Sequence, residues 1–415
     1  MKIVVLDPGL REHGGHHVGL ASQIKESKKL LEKGVSIEVL GNVAVSKEVQ
    51  QSLSSTNYIF TPYFDSDFYQ HFYSDRELST VTSYVRALSL EYYKAIISFK
   101  DSDVTFFYHT LNWEHGYALT LALGLLERTQ VYNSCSSKHQ HLIGLMFSPQ
   151  YFNSADTHRS QQRLMRFSLG FRKLQAFHNV QLFSADFEVR QAYRQLLDIN
   201  DIKLFPCGLI SRGQLAESKC QQTRSNKVLL YVGDAKDNKG FLELPKLLES
   251  LLKATADPSV RFVIHYTITN DRWDLQNVHS QLTELAKRDS CIELHYGFLS
   301  EKEMHELWLS VDSVVLNYDC QLYANQSSGI LWLSAAYDVN VHLLSETWLN
   351  REARRLDLKC KEHRTIKEIT RYIEENDWGN LKRIGLESEY SQYRQILLSD
   401  LSDWLVNKVR ELANN

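Results

Sequence analysis

Three observations predict an α/β fold made of two doubly wound, parallel-sheet domains. Short apolar runs alternate with helical stretches along nearly the whole 415-residue chain, which is too long for one ordinary hydrophobic core. Strands separated by helices pair in parallel, because a parallel connection needs a crossover long enough to hold a helix. A polar stretch, Ser211 to Asn226, interrupts the alternation, and from Lys227 the same pattern starts afresh.

In the first half, Lys2 to Leu6 reads as a buried strand and Asp7 to His17 as a loop containing Gly14-Gly15. Val18 to Lys33 reads as a helix stopped at Gly34. Strands follow at Val35 to Leu40, Tyr58 to Phe60, Val104 to Tyr108, Val131 to Ser134, Val180 to Ser184 and Ile202 to Phe205, with a long helix over Glu77 to Phe99. In the second half the strands are Val228 to Val232, Arg261 to Tyr266, Ile292 to Tyr296, Val314 to Leu316 and Val339 to Leu344. Helices are expected over Leu242 to Lys253, Val278 to Arg288, Glu301 to Val311 and Ser328 to Tyr337. The tail, Tyr390 to Ala413, carries Tyr393, Ile396, Leu397, Leu401, Trp404, Leu405 and Val409 at helical spacing, which gives one helix with a large buried face. The expected domains are 1–208, a linker at 209–226, a second domain at 227–389 and a returning helix at 390–415.

Composition narrows the function classes. With 43% apolar and 23% charged residues the chain reads as globular, and 47 basic against 50 acidic residues give a net charge of −3, so nothing points to nucleic acid. Any anion site must be local. Six cysteines, Cys135, Cys207, Cys220, Cys291, Cys320 and Cys360, show neither CxxC spacing nor a paired framework, which favours reduced thiols and a cytoplasmic setting. No run of about 18 apolar residues is present to span a bilayer.

The chemistry is expected in two loops of the second half. Tyr231-Val232-Gly233-Asp234-Ala235-Lys236-Asp237-Asn238-Lys239-Gly240-Phe241 is a strand, a polar turn and a helix start. Its ammonium groups suit a diphosphate whose charge grows as a leaving group departs, although a charged, solvated turn has the same look. Asn317 to Gln326 is a loop after a strand, and Ser327-Ser328-Gly329-Ile330-Leu331 opens a helix with small, polar residues. Unpaired amides and the positive end of the helix dipole make an anion site there; a serine-capped helix that binds nothing is the plainer alternative. Both segments lie at the carboxyl ends of strands in one domain, where such sheets bind ligands.

These residues resemble the donor domain of retaining glycosyltransferases of family 4. The resemblance rests on Gly233-Asp234-Ala235-Lys236-x-x-Lys239-Gly240-Phe241, on the Tyr-Asp-x-x-x-Tyr-x-x-x-Ser-Ser-Gly-Ile-Leu string that starts at Tyr318, and on Leu6-Asp7-Pro8-Gly9-Leu10-x-x-x-Gly14-Gly15-His16-His17. It implies a GT-B fold, with two doubly wound domains facing a cleft and a last helix crossing back to the first. It also implies transfer of a sugar from a nucleotide-sugar donor to a glycan or lipid-linked acceptor with retention, as in surface polysaccharide or glycoconjugate synthesis. By the resemblance Lys236 and Lys239 act on the donor diphosphate, and the amides of Ser328, Gly329 and Ile330 hold it from the other side. Gly233, Gly240, Phe298, Tyr323, Gln326 and Ser327 complete the donor site, Gly14 and Gly15 approach donor or acceptor, and His109 faces the donor sugar as a catalytic residue. No metal and no cofactor beyond the donor are implied.

Two departures matter. Where many family members carry glutamates eight residues apart, this chain has Gln326 and Ser334, which permits a degenerate, non-catalytic binding protein as the alternative. Asp234 stands where an arginine is common, with Lys236 two residues on. His13, His16, His17, His139 and His141 are expected to cluster in loops at the cleft, where a metal site is possible on ligand type but unsupported by spacing. Residues 157–178 hold Arg159, Arg163, Arg166, Arg172 and Lys173 among apolar residues and no acid. That stretch is either a solvated helix face or a peripheral contact with an anionic membrane at the inner face. A nicotinamide-dependent enzyme is a third reading, but the loop from Gly9 to Gly15 lacks GxGxxG spacing.

Overall fold

A computed structural model describes residues 2–11, 15–26, 34–53, 58–71, 78–129, 139–150, 157–209, 227–254, 259–375 and 377–414. The chain forms two compact units, Met1–Leu209 with Ser399–Asn415, and Ile210–Leu398. Of the expected linker only Leu209 is described, and the strand expected at Val131 to Ser134 lies outside the described residues.

The first unit contains β1 Lys2–Leu6, α1 Gly15–Glu26, β2 Ser36–Asn42, α2 Lys47–Leu53, β3 Tyr58–Phe64, α3 Leu78–Ile97, β4 Val104–Tyr108 and α4 Trp113–Glu127. It continues with β5 Gln140–Gly144, α5 Thr157–Phe171, β6 Val180–Ser184, α6 Phe187–Leu197 and β7 Ile202–Leu204. Its seven strands are all parallel and lie in the order β3-β2-β1-β4-β5-β6-β7. A sheet covered on both faces selects continuous apolar strands, and every residue of β4, Val-Thr-Phe-Phe-Tyr, is buried. Strand order reverses direction between β1 and β4, so the loops that leave these two strands open the crevice where such sheets take ligands.

The second unit contains β8 Lys227–Asp234, α7 Leu244–Ala254, β9 Val260–Thr267, α8 Trp273–Arg288, β10 Ile292–Tyr296, α9 Glu301–Ser310, β11 Ser313–Leu316 and α10 Gly329–Tyr337. After these come β12 Asn340–Leu344, α11 Trp348–Arg355, β13 Cys360–His363, α12 Ile366–Glu375 and α13 Ser391–Leu397. Its six parallel strands are ordered β10-β9-β8-β11-β12-β13, with the reversal between β8 and β11.

The tail differs from the single helix expected. It breaks after α13, and α14, Leu401–Asn414, starts at a separate cap: Asp400 Oδ1 accepts the amides of Ser402 (2.9 Å) and Asp403 (3.1 Å). Tyr393 of α13 donates to Glu352 in the second unit, whereas α14 packs on the first. There Leu401, Leu405, Val406 and Val409 are buried, and the Trp404 ring lies 4.9 Å from Phe183 and 5.7 Å from Phe205. The returning helix is therefore α14 alone.

Candidate functional site

In the second unit the two expected loops meet. Gly233 (φ 142°) and Gly240 (φ 70°) bracket the turn after β8. A Cβ on Gly240 would lie 2.2 Å from Asn317 Nδ2 and 2.4 Å from its carbonyl oxygen, so that close approach depends on the missing side chain, and the positive φ of Gly233 also favours glycine. Asn317, the first residue after β11, donates to the Gly240 carbonyl at 3.1 Å, and the Asp319 amide donates to the Asn238 carbonyl at 2.9 Å. These bonds tie the lysine turn to the loop that leads into α10.

That loop is braced locally. Asp319 Oδ1 accepts the amides of Gln321 and Leu322, the buried Tyr323 ring packs 4.5 Å from Tyr318, and the Tyr323 carbonyl accepts the Trp348 amide. The Ser328 side chain makes no cap bond to α10. The first backbone bond into the helix from Ser328 is made by Trp332, so the amides of Gly329, Ile330 and Leu331 precede the intrahelical ladder. Tyr323 thus props the loop from beneath, while Gln326, Ser327, Gly329 and Ile330 are partly exposed at its rim. Ser334 donates to the Ile330 carbonyl inside the helix and is fully buried. Phe298, 62% exposed, follows Gly297 beyond the carboxyl end of the edge strand β10.

The charge balance differs from a bare lysine pair. Asp234 Oδ2 lies 3.0 Å from Lys236 Nζ and 3.7 Å from Lys239 Nζ. Burial pushes the Asp234 carboxyl up, but Lys239 and Lys236 outweigh it and hold the group below the usual carboxylate range. Burial lowers the Lys239 ammonium, and Asp234 offsets part of that fall. Two lysines and one carboxylate leave one net positive charge. The sequence singled out the lysines but missed Asp234 and Asn317 as the groups that set their positions; an acid two residues before a lysine was the available signal.

The first unit gathers a second set. The helix expected from Val18 begins at Gly15, so His16 and His17 stand on the first turn of α1 instead of in a loop; Gly14 lies outside the described residues, and so does His13. Asp7 directly follows β1, and its Oδ1 accepts from His17 Nδ1 at 2.7 Å and from the Gly9 amide at 3.0 Å. His17 Nε2 then accepts from the Tyr69 hydroxyl at 3.0 Å. His109, just past β4, has Nδ1 3.4 Å from Asp7 Oδ2 and is buried. Ring centroids of His16, His17 and His109 are 4.2 to 5.4 Å apart. Burial pushes His16 and His17 down to about 3 and lowers His109 as well, while it raises Asp7, so all three imidazoles are neutral near pH 7.

His139 and His141 stay apart from this set, contrary to expectation. His141 is a core residue of β5 stacked on Phe106, and His139 Nε2 bonds the carbonyls of Phe99 and Ser102. In the basic stretch, Arg163 donates twice to the Ser148 carbonyl and stacks on Phe167, and Arg166 lies over Trp113; Met165 and Leu169 remain exposed.

No family model and no curated protein matches the sequence. Solved structures do match. An α,α-trehalose-phosphate synthase of Burkholderia xenovorans in complex with glucose-6-phosphate superposes with TM-score 0.61 and 11% identity, covering 99% of this chain and 100% of that one. The lipopolysaccharide outer core galactosyltransferase WaaB gives 0.55 and 11%, covering 99% of each chain. A trehalose-6-phosphate protein of E. coli bound with UDP-2-fluoro glucose gives 0.58 and 12%, with 99% of each chain covered. The chain has the GT-B fold. At such identities the likeness extends to architecture, and no helix among the described residues is long and apolar enough to cross a membrane.

Proposed function

We propose that the protein is a glycosyltransferase that takes its sugar from a nucleotide-sugar donor held on the second unit. One observation carries the proposal: the Gly240–Asn317 and Asn238–Asp319 bonds join the lysine turn to the loop that opens α10, at the point where strand order reverses. A diphosphate there meets Lys236 and Lys239 from one side and the free amides of Gly329 and Ile330 from the other. The exposed Phe298 ring offers the base an apolar face.

In this reading the leaving diphosphate is stabilised by ammonium groups and amides in place of a metal, which lowers the barrier as charge develops. Retention by front-face departure would need no protein nucleophile; the departing phosphate oxygen would help remove the acceptor proton. A glycan or lipid-linked acceptor is the acceptor class we favour, and Met165 and Leu169 exposed beside Arg172 and Lys173 would suit an anionic bilayer. Cosedimentation with vesicles containing anionic lipid tests that part separately.

The donor is testable by melting the protein with a panel of nucleotide sugars and nucleoside diphosphates. Ligand at about 100 times its Kd adds about 2.7 kcal/mol, so one nucleotide class should raise the melting temperature by several degrees. If no nucleotide shifts it, the proposal fails. A second reading, a binding protein without turnover, is favoured by Gln326, by Ser334 turned into its own helix and by the carboxylate between the lysines. Slow donor hydrolysis without acceptor would count against it.

A further inference from the structure

We propose that the first unit binds one divalent d-block cation of the zinc type on His16, His17 and His109, with Asp7 behind the ligands and one coordination position left open.

Geometry comes first. One ligand nitrogen from each histidine lies within 4.8 Å of the others. Zinc sits at about 2.0–2.1 Å from imidazole nitrogen, so a tetrahedral ion needs the three nitrogens to draw in to roughly 3.4 Å of one another. Small ring shifts on the first turn of α1 and past the end of β4 would achieve this; β1 pairs with β4, and the His17–Asp7 bond ties the first turn of α1 to the end of β1.

Polar satisfaction points the same way. His16 Nε2 and His109 Nε2 are buried, and no hydrogen bond reaches them among the described residues, while His109 Nδ1 faces Asp7 Oδ2 at 3.4 Å. A buried polar atom left unpaired is destabilising, and a ligand that engages it relieves that cost. A neutral imidazole offers a metal one lone pair, and three rings together form an all-nitrogen set that suits zinc, copper or nickel far better than magnesium or calcium.

The third feature is Asp7. Its carboxylate accepts the His17 Nδ1 proton, which fixes the tautomer and leaves Nε2 for a metal, the arrangement by which outer carboxylates orient ligating histidines. His17 Nε2 now accepts from Tyr69, a bond the ion would replace. Asp7 is buried with His17 Nδ1 at 2.7 Å and His109 Nδ1 at 3.4 Å, so a cation on the rings would also supply its carboxylate with a countercharge. Three protein ligands and a vacant fourth position leave room for water or another oxygen ligand.

The test uses full-length, tag-free protein stripped with chelator and titrated with Zn²⁺ by calorimetry and with Co²⁺ by visible absorption. Zinc should bind at one equivalent with a Kd at or below the micromolar range, and cobalt should show ligand-field bands of a low-symmetry nitrogen site. His16→Ala and His109→Ala should each weaken zinc at least tenfold and abolish the zinc-dependent rise in melting temperature, while the surface variant His178→Gln keeps both. If His109→Ala does not fold, His16→Ala on the partly exposed first turn decides alone. Absence of stoichiometric zinc in the wild type, or unchanged binding in His16→Ala, overturns the site. Because no nucleotide enters the experiment, that outcome leaves the donor proposal untouched.

Discussion

Glu114, at the start of α4, shows how far burial alone can move a charge. Desolvation pushes its carboxyl up to about 7, against the weaker pull of Arg166 and Arg163. The folded state therefore binds the proton more tightly than the unfolded state, whose carboxyl titrates near 4.5. Stability is fully retained below the unfolded pKa, falls as pH rises from about 4.5 to about 7 and then levels off, a loss on the order of 3 kcal/mol. Glu114→Gln, which mimics the neutral form, should match the wild type near pH 4 and melt several degrees higher at pH 8. A constant offset across that range would contradict the assignment. The two lysines of the proposed donor site differ in exposure. Lys239 is largely buried and Lys236 half exposed, so screening by water is weaker at Lys239. Lys236→Met should lower nucleoside diphosphate affinity only a few-fold, less than the matching change at Lys239, as read by calorimetry.

Single elements were legible where burial imposes a pattern. β4 and β8 are continuous apolar runs because both sheet faces are covered, and both read as strands. β5, Gln-His-Leu-Ile-Gly, was not read as a strand because it hides its run behind a histidine that packs in the core. β13, Cys-Lys-Glu-His, is an edge strand with one neighbour and needs no apolar pattern at all. The start of α1 was misplaced because Gly14-Gly15 reads as loop, and that error moved His16 and His17 off the helix. The tail helices merged because Leu397 and Leu401 keep helical spacing across the break. Asp400 marks the break, and Asp400→Ala should remove the cap of α14 at a cost of about 1 kcal/mol, which lowers melting of the first unit by roughly 2–4 °C. An unchanged melting temperature would mean that packing of Leu401 and Leu405 alone fixes the helix start.

At the scale of the whole molecule, periodicity revealed two sheets but could not bring distant residues together. His17 and His109 meet because β1 pairs with β4, and Lys239 meets the α10 loop because β8 pairs with β11. Strand order decides both encounters, and in neither does the sequence separation disclose it. The duplicated architecture also has a thermal consequence. Each unit has its own sheet and core, so calorimetry should resolve separate contributions, and a nucleotide ligand should raise only that of the second unit while zinc raises only that of the first. The most direct test of the donor site is a calorimetric titration of wild type and Lys239→Met with the nucleoside diphosphate that gives the largest thermal shift. Wild type should bind one equivalent, and the variant should lose tenfold or more in affinity while it still melts cooperatively. Equal affinity in the two proteins would show that the diphosphate is held elsewhere.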